Sequence, residues 1–209
     1  MEEKTRENIL ELIGFVFAGI YIYILILFLS TSYYVGLLWI CYLGIPLISM
    51  GIFLKNSNLV LSQAFLLLIP DLLWSIDFIY RLITGTTLLG IDNFFFTTNY
   101  LSRKILSLQH LLTPVLSLSA LLLLKPKKFR KALIISFFEI FLVLLISLLF
   151  PFKEEINCLP TYTSCMFSDP SFLVPYPLFW LILESIFIFS AFCIIKYFLK
   201  NSKILGVKS

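Results

Sequence analysis

Residues 59–83 read LVLSQAFLLLIPDLLWSIDFIYRLI, and only Asp71, Asp77 and Arg81 are charged in that stretch. A run of about 18 apolar residues already reads as a membrane-spanning helix. A charge in hydrocarbon costs roughly 2.5–3.5 kcal/mol on insertion scales, so it faces a partner or a wet cavity. The stretch therefore decides the class and also points to where function sits.

Five further segments have the same character: 8–30, 34–54, 104–124, 131–150 and 175–198. Each is close to the ~20 residues that cross a ~30 Å hydrocarbon core. Of 209 residues, 60% are hydrophobic and 13% charged. The expected fold is an all-α polytopic transmembrane bundle of about six spanning helices, a single domain over 1–209. Such a bundle leaves almost no extramembrane mass for a separate soluble catalytic or regulatory domain. The first segment is too long, and its flank too acidic with Glu2, Glu3 and Glu7, for a cleaved signal peptide, so it is expected to remain as a helix.

Lys and Arg set the expected orientation. If the N-terminus is cytoplasmic, twelve basic residues fall on that side, including the run from Lys125 to Lys131. Four fall on the other: Arg81, Arg103, Lys104 and Lys153. The positive-inside bias places both termini in the cytoplasm of a cell-membrane protein. The basic run is read as a topology determinant and no nucleic-acid partner is expected.

Cys41 and Cys193 read as packing residues within helices. Cys158 and Cys165 share the loop 151–174, which the charge bias places outside, so either a disulfide or two free thiols is open there. With one histidine in the chain no zinc set can be assembled, and no metal or cofactor is expected. The loop 84–103 contains Phe94, Phe95, Phe96 and Tyr100. Anchoring at the headgroup level is its leading reading, with a lid over the bundle mouth as the other.

Five ionisable residues lie inside the segments: Asp71, Asp77, His110, Glu139 and Glu184. Counting ~1.5 Å per residue puts Asp77 one turn below Arg81 and His110 two turns below Arg103. Asp77 and His110 thus match in depth under a rim of Arg81, Arg103 and Lys104. That cluster suits proton exchange, since histidine titrates near neutrality, or recognition of a small anionic solute or lipid by Arg81 and Arg103. A purely structural interhelical pair is the competing reading. Ser107 and Thr113 flank His110 at three residues, so a hydrolase with His110 as base, Asp77 as its orienting acid and Ser107 as hydroxyl is an alternative. Asp71, Glu139 and Glu184 fall near the midplane without a matching base. They read as a proton or cation relay, or as neutral acids bonded between helices.

Several motifs resemble an uncharacterised bacterial family of small multipass membrane proteins. They are Leu47-Ile-Ser-Met50, Pro70-Asp-Leu-Leu-Trp74, Asp77-Phe78, Gly85, Arg103, Leu106-Ser-Leu-Gln-His110, Pro114, Phe129-Arg-Lys-Ala-Leu133 and Glu155-Ile-Asn157. The family pattern runs Pro-Glu-Leu-Leu-Trp, Asp-Phe, Arg, Leu-Ser-Leu-Phe-His, Leu-Pro and Asn-Ile-Asn-Trp. This chain departs at Asp71, Gln109 and Cys158. The resemblance implies a six-helix membrane protein and brings no activity with it. A weaker similarity, in size and a lone membrane histidine, links the chain to six-helix intramembrane threonine hydrolases, without a catalytic threonine to transfer. The functional expectation is small-solute, lipid or proton-coupled transport or binding between the third and fourth segments. An intramembrane hydrolase and a structural subunit of a membrane complex are the alternatives.

Overall fold

The computed structural model describes residues 3–31, 34–149 and 176–202, and regular structure among them is entirely helical. In chain order the helices are α1 (Glu3–Ser30), α2 (Ile40–Phe53), α3 (Ser57–Thr84), α4 (Asn93–Thr97), α5 (Leu101–Ser107), α6 (Gln109–Leu124), α7 (Phe129–Leu149) and α8 (Tyr176–Ser202). Lys153, Glu155–Asn157, Cys158 and Cys165 lie outside the described residues, and so does the disulfide question.

Helix α3 is the hub, packed by α2, α6, α7 and α8. Every residue from Val60 to Leu68 is buried, as befits a helix that is apolar all round and surrounded by others. The peripheral helices bury one stripe only. Helix α1 turns Leu10, Ile13, Phe17, Ile24 and Leu27 inward and leaves Leu12, Phe15, Ile22 and Ile26 exposed. An apolar outer face on a bundle is what a lipid surround accepts and water does not.

Among the described residues, five helical stretches are long and apolar enough to cross a membrane: Glu3–Ser30, Ser57–Thr84, Leu101–Leu124, Phe129–Leu149 and Pro177–Asn201. The span expected over 34–54 is shorter. A single tight 3₁₀ turn occupies Tyr34–Leu38, and α2 then has 14 residues, about 21 Å at 1.5 Å per residue.

Two local devices position the site. Gly85, at φ 76°, ends α3 in the left-handed conformation that suits glycine, and its N–H reaches Arg81 O at 2.9 Å. The chain then turns back over the bundle. The segment expected as one helix over 104–124 instead begins at Leu101 and is interrupted at Leu108. Around the break the bonds tighten to the i−3 pattern, Leu108 N to Ile105 O at 3.2 Å and Leu111 N to Leu108 O at 3.1 Å. Pro114 follows and has no N–H to offer the carbonyl of His110.

Candidate functional site

Asp71, Trp74, Ser75 and Phe78 recur on α3 at the spacing of one helical face. The Ser75 hydroxyl lies 2.7 Å from Asp71 O, one turn back, and 3.2 Å from His110 O, the carbonyl that Pro114 leaves without its usual donor. That contact ties the two helices together where α6 is weakest. Beside it, His110 Nδ1 lies 2.6 Å from Asp71 Oδ1. Asp71 is 2% exposed and His110 18%. With Asp71 as acceptor, Nδ1 carries the hydrogen and Nε2 has no hydrogen-bond partner among the described residues. The Trp74 ring covers the imidazole at 5.1 Å between centroids. Asp71 stands fourteen residues from the start of α3, about 21 Å along the axis and close to mid-helix.

The acid that meets His110 is therefore Asp71, where the depth count paired His110 with Asp77. Helical phase is the reason. Six residues carry Asp77 about 120° around α3 from Asp71, away from α6 and under the returning chain. There its carboxylate accepts from Leu88 N and Leu89 N, both at 2.8 Å, from Asp92 N at 3.3 Å and from the Thr87 hydroxyl at 3.1 Å. Asp77 is fully buried and holds the loop by its backbone. Arg81, expected on the rim one turn above Asp77 to hold an anionic solute or lipid, reaches Asn93 at 2.7 Å and Asp92 at 3.4 Å, with its guanidinium 4.2 Å from the Phe96 ring centre. Burial, and then the Asp77 carboxylate beside it, push the Asp92 carboxyl above the usual carboxylate range, with Arg81 opposing.

Held this way, α4 lies across the end of the site. Phe95 meets Phe78 edge-on at 4.9 Å and Trp74 at 6.4 Å, while Phe96 reaches Phe78 at 5.7 Å. Phe94 stays exposed. Phe95 and Phe96 thus fold back onto α3 at Phe78, with Phe95 also against Trp74, in the arrangement of the lid reading, and the segment is called the lid below. Lys104 Nζ lies 5.8 Å from the Phe95 ring centre and the Arg103 guanidinium 5.2 Å from that of Tyr100. Neither cation meets a carboxylate among the described residues.

The remaining expected residues separate. Ser107 donates to Arg103 O at 3.0 Å, and among the described residues no hydroxyl bonds to His110 Nε2. Glu139 pairs with Gln63, and Glu184 sits half-buried on α8 with no hydrogen bond among the described residues. Asp71, Glu139 and Glu184 therefore do not gather into one hydrogen-bonded chain among the described residues. The sequence reading missed Ser75, Gln63 and Asp92. Ser75 carried a usable signal, four residues after Asp71 on the same face. Gln63 carried another, as a lone amide inside an apolar run.

A bundle of long apolar helices around an acid–histidine pair at mid-helix depth defines the class: an α-helical membrane protein with an internal ionisable site. No family model, curated protein or solved structure matches the chain, so the resemblance over 47–157 stands on its motifs alone.

Proposed function

We propose that the protein binds or moves a small anionic solute or lipid across the membrane in exchange with protons, using a site between α3 and α6. The carrying observation is the Asp71–His110 contact of 2.6 Å inside the bundle. An ionisable pair at this depth is costly to keep for packing alone and is the ordinary marker of a substrate or proton path. Asp71 orients the ring, and His110 exchanges the proton through Nε2. Arg103 and Lys104, which meet no carboxylate among the described residues, supply attraction for the anion. Arg81 serves the lid rather than the solute. The termini lie in the cytoplasm and the lid faces outward, as the distribution of Lys and Arg implies.

The test is binding to the purified protein in detergent at pH 6 and pH 8. Inorganic phosphate, short carboxylates and glycerol phosphate serve as probes, read by thermal shift. At least one should stabilise the wild type in a pH-dependent manner, and Asp71→Asn and His110→Ala should both abolish the effect. No shift from any probe, or shifts untouched by both substitutions, would count against the proposal.

The hydrolase alternative keeps one observation in its favour: Asp71 on Nδ1, with Nε2 unbonded among the described residues, is the base-plus-orienter half of a nucleophilic triad. It needs a hydroxyl that closes on Nε2. Labelling by a serine-directed probe, lost in His110→Ala, would favour it over transport.

A further inference from the structure

Helices α3 and α7 meet at a second polar contact, away from Asp71. Ser136 Oγ lies 2.9 Å from Ser62 O, linking the two helices. Three residues further along α7, Glu139 Oε2 accepts from Gln63 Nε2 at 2.7 Å, and the same Nε2 lies 3.3 Å from Ser62 Oγ. Gln63 is fully buried. Gln63 Oε1 and Glu139 Oε1 are both buried, and among the described residues both lack a partner. On its α2 side Gln63 Oε1 faces Gly44, where a Cβ would stand only 3.1 Å away and no side chain offers a donor.

An ionised Glu139 leaves this contact badly satisfied. A carboxylate only accepts, so it adds no donor for either orphan oxygen, and it places an anion in the bundle without a cation. The elements packed on α7 carry Asp71, Asp77 and Arg81 on α3 and Glu184, Lys196 and Lys200 on α8. Arg130 and Lys131 stand in its own first turn. Among the described residues none of these bonds to Glu139. A protonated Glu139 is neutral and gains an O–H donor. Gln63 suits both states at one contact, because half a turn of its amide exchanges the donor Nε2 for the acceptor Oε1.

The geometry points to Glu139 and Gln63 as a proton-binding site, separate from the Asp71–His110 pair. Glu139 holds the proton at rest as an O–H bond, and releasing it leaves the carboxylate that Gln63 Nε2 receives. Gln63 is a positioning residue that accommodates either state. Eight residues of α3 separate Gln63 from Asp71, about 12 Å. The site thus goes beyond the transport reading and stands whether or not a solute is moved.

The experiment is infrared difference spectroscopy on the full chain in lipid nanodiscs at neutral pH, wild type minus Glu139→Gln. The amide mimics the neutral acid, so this variant should fold. The expected difference is one carbonyl-stretch band of a protonated carboxyl, still present when the pair is compared in an Asp71→Asn background. Gln63→Met should move that band to the higher frequency of an unbonded carboxyl. A difference spectrum containing only carboxylate bands would overturn the proposal. Loss of the band with Asp71→Asn would overturn the claim of a separate site, and an unmoved band in Gln63→Met would overturn the role of Gln63.

Discussion

At the scale of single residues, the informative positions were visible as rarities. Asp71, Asp77, His110, Glu139 and Glu184 interrupt apolar runs, and an ionisable group there needs a reason. Their partners were not visible, because depth can be counted along a helix while phase relative to a neighbour depends on how the two pack. Asp77 and His110 matched in depth and face different surroundings, and Asp71 takes the histidine instead. A double-mutant cycle on Asp71→Asn and His110→Gln checks the pair. Interhelical hydrogen bonds in membrane proteins couple by about 0.6 kcal/mol on average and up to about 1.7 kcal/mol. A coupling toward the upper figure is expected from unfolding in mixed micelles, given the 2.6 Å contact. Additive effects would show that the two side chains act independently.

At the scale of elements, the long helices were legible from length and hydropathy, whereas the break at Leu108 and the folded lid were not. Pro114 announced a weakness in its helix, but the relief of that weakness by Ser75 requires α3 to be alongside. The lid depends on backbone N–H groups of 88–92, which carry no sequence signature. Asp77→Ala should therefore release it. One hydrogen bond to a charged group contributes about 1.5–3 kcal/mol, so amide exchange at Leu88 and Leu89 should accelerate about tenfold or more. Exchange unchanged from the wild type would mean the loop is held by its aromatic contacts alone. Asp92 gives the lid a pH dependence. Its folded carboxyl is pushed above the ordinary range, so the closed lid holds that proton more tightly than the open one. The contribution is full below the ordinary carboxylate value and is lost as pH rises through the folded value. Asp92→Asn should flatten this profile in limited proteolysis across acid to neutral pH. A profile as steep as the wild type's would assign the dependence to another group.

At the scale of the whole molecule, α3 sets the plan: a helix buried on every side through Val60–Leu68, with polar contacts to α6 at Asp71 and to α7 at Gln63. The proposed orientation rests on the distribution of Lys and Arg, twelve against four, and is checked by labelling single cysteines in a background lacking the four native ones. Thr97→Cys should react from outside intact cells, and Lys127→Cys only after permeabilisation. The reverse pattern would invert the bundle. In the proposed function Asp71 and His110 carry protons for a transported anion. That role is tested most directly by recording internal pH in proteoliposomes loaded with a pH-sensitive dye, on external addition of phosphate, short carboxylates or glycerol phosphate. At least one of these should move protons through the wild type and none through Asp71→Asn reconstituted at equal density. Proton movement that persists in Asp71→Asn, or that no probe elicits from the wild type, would contradict the account.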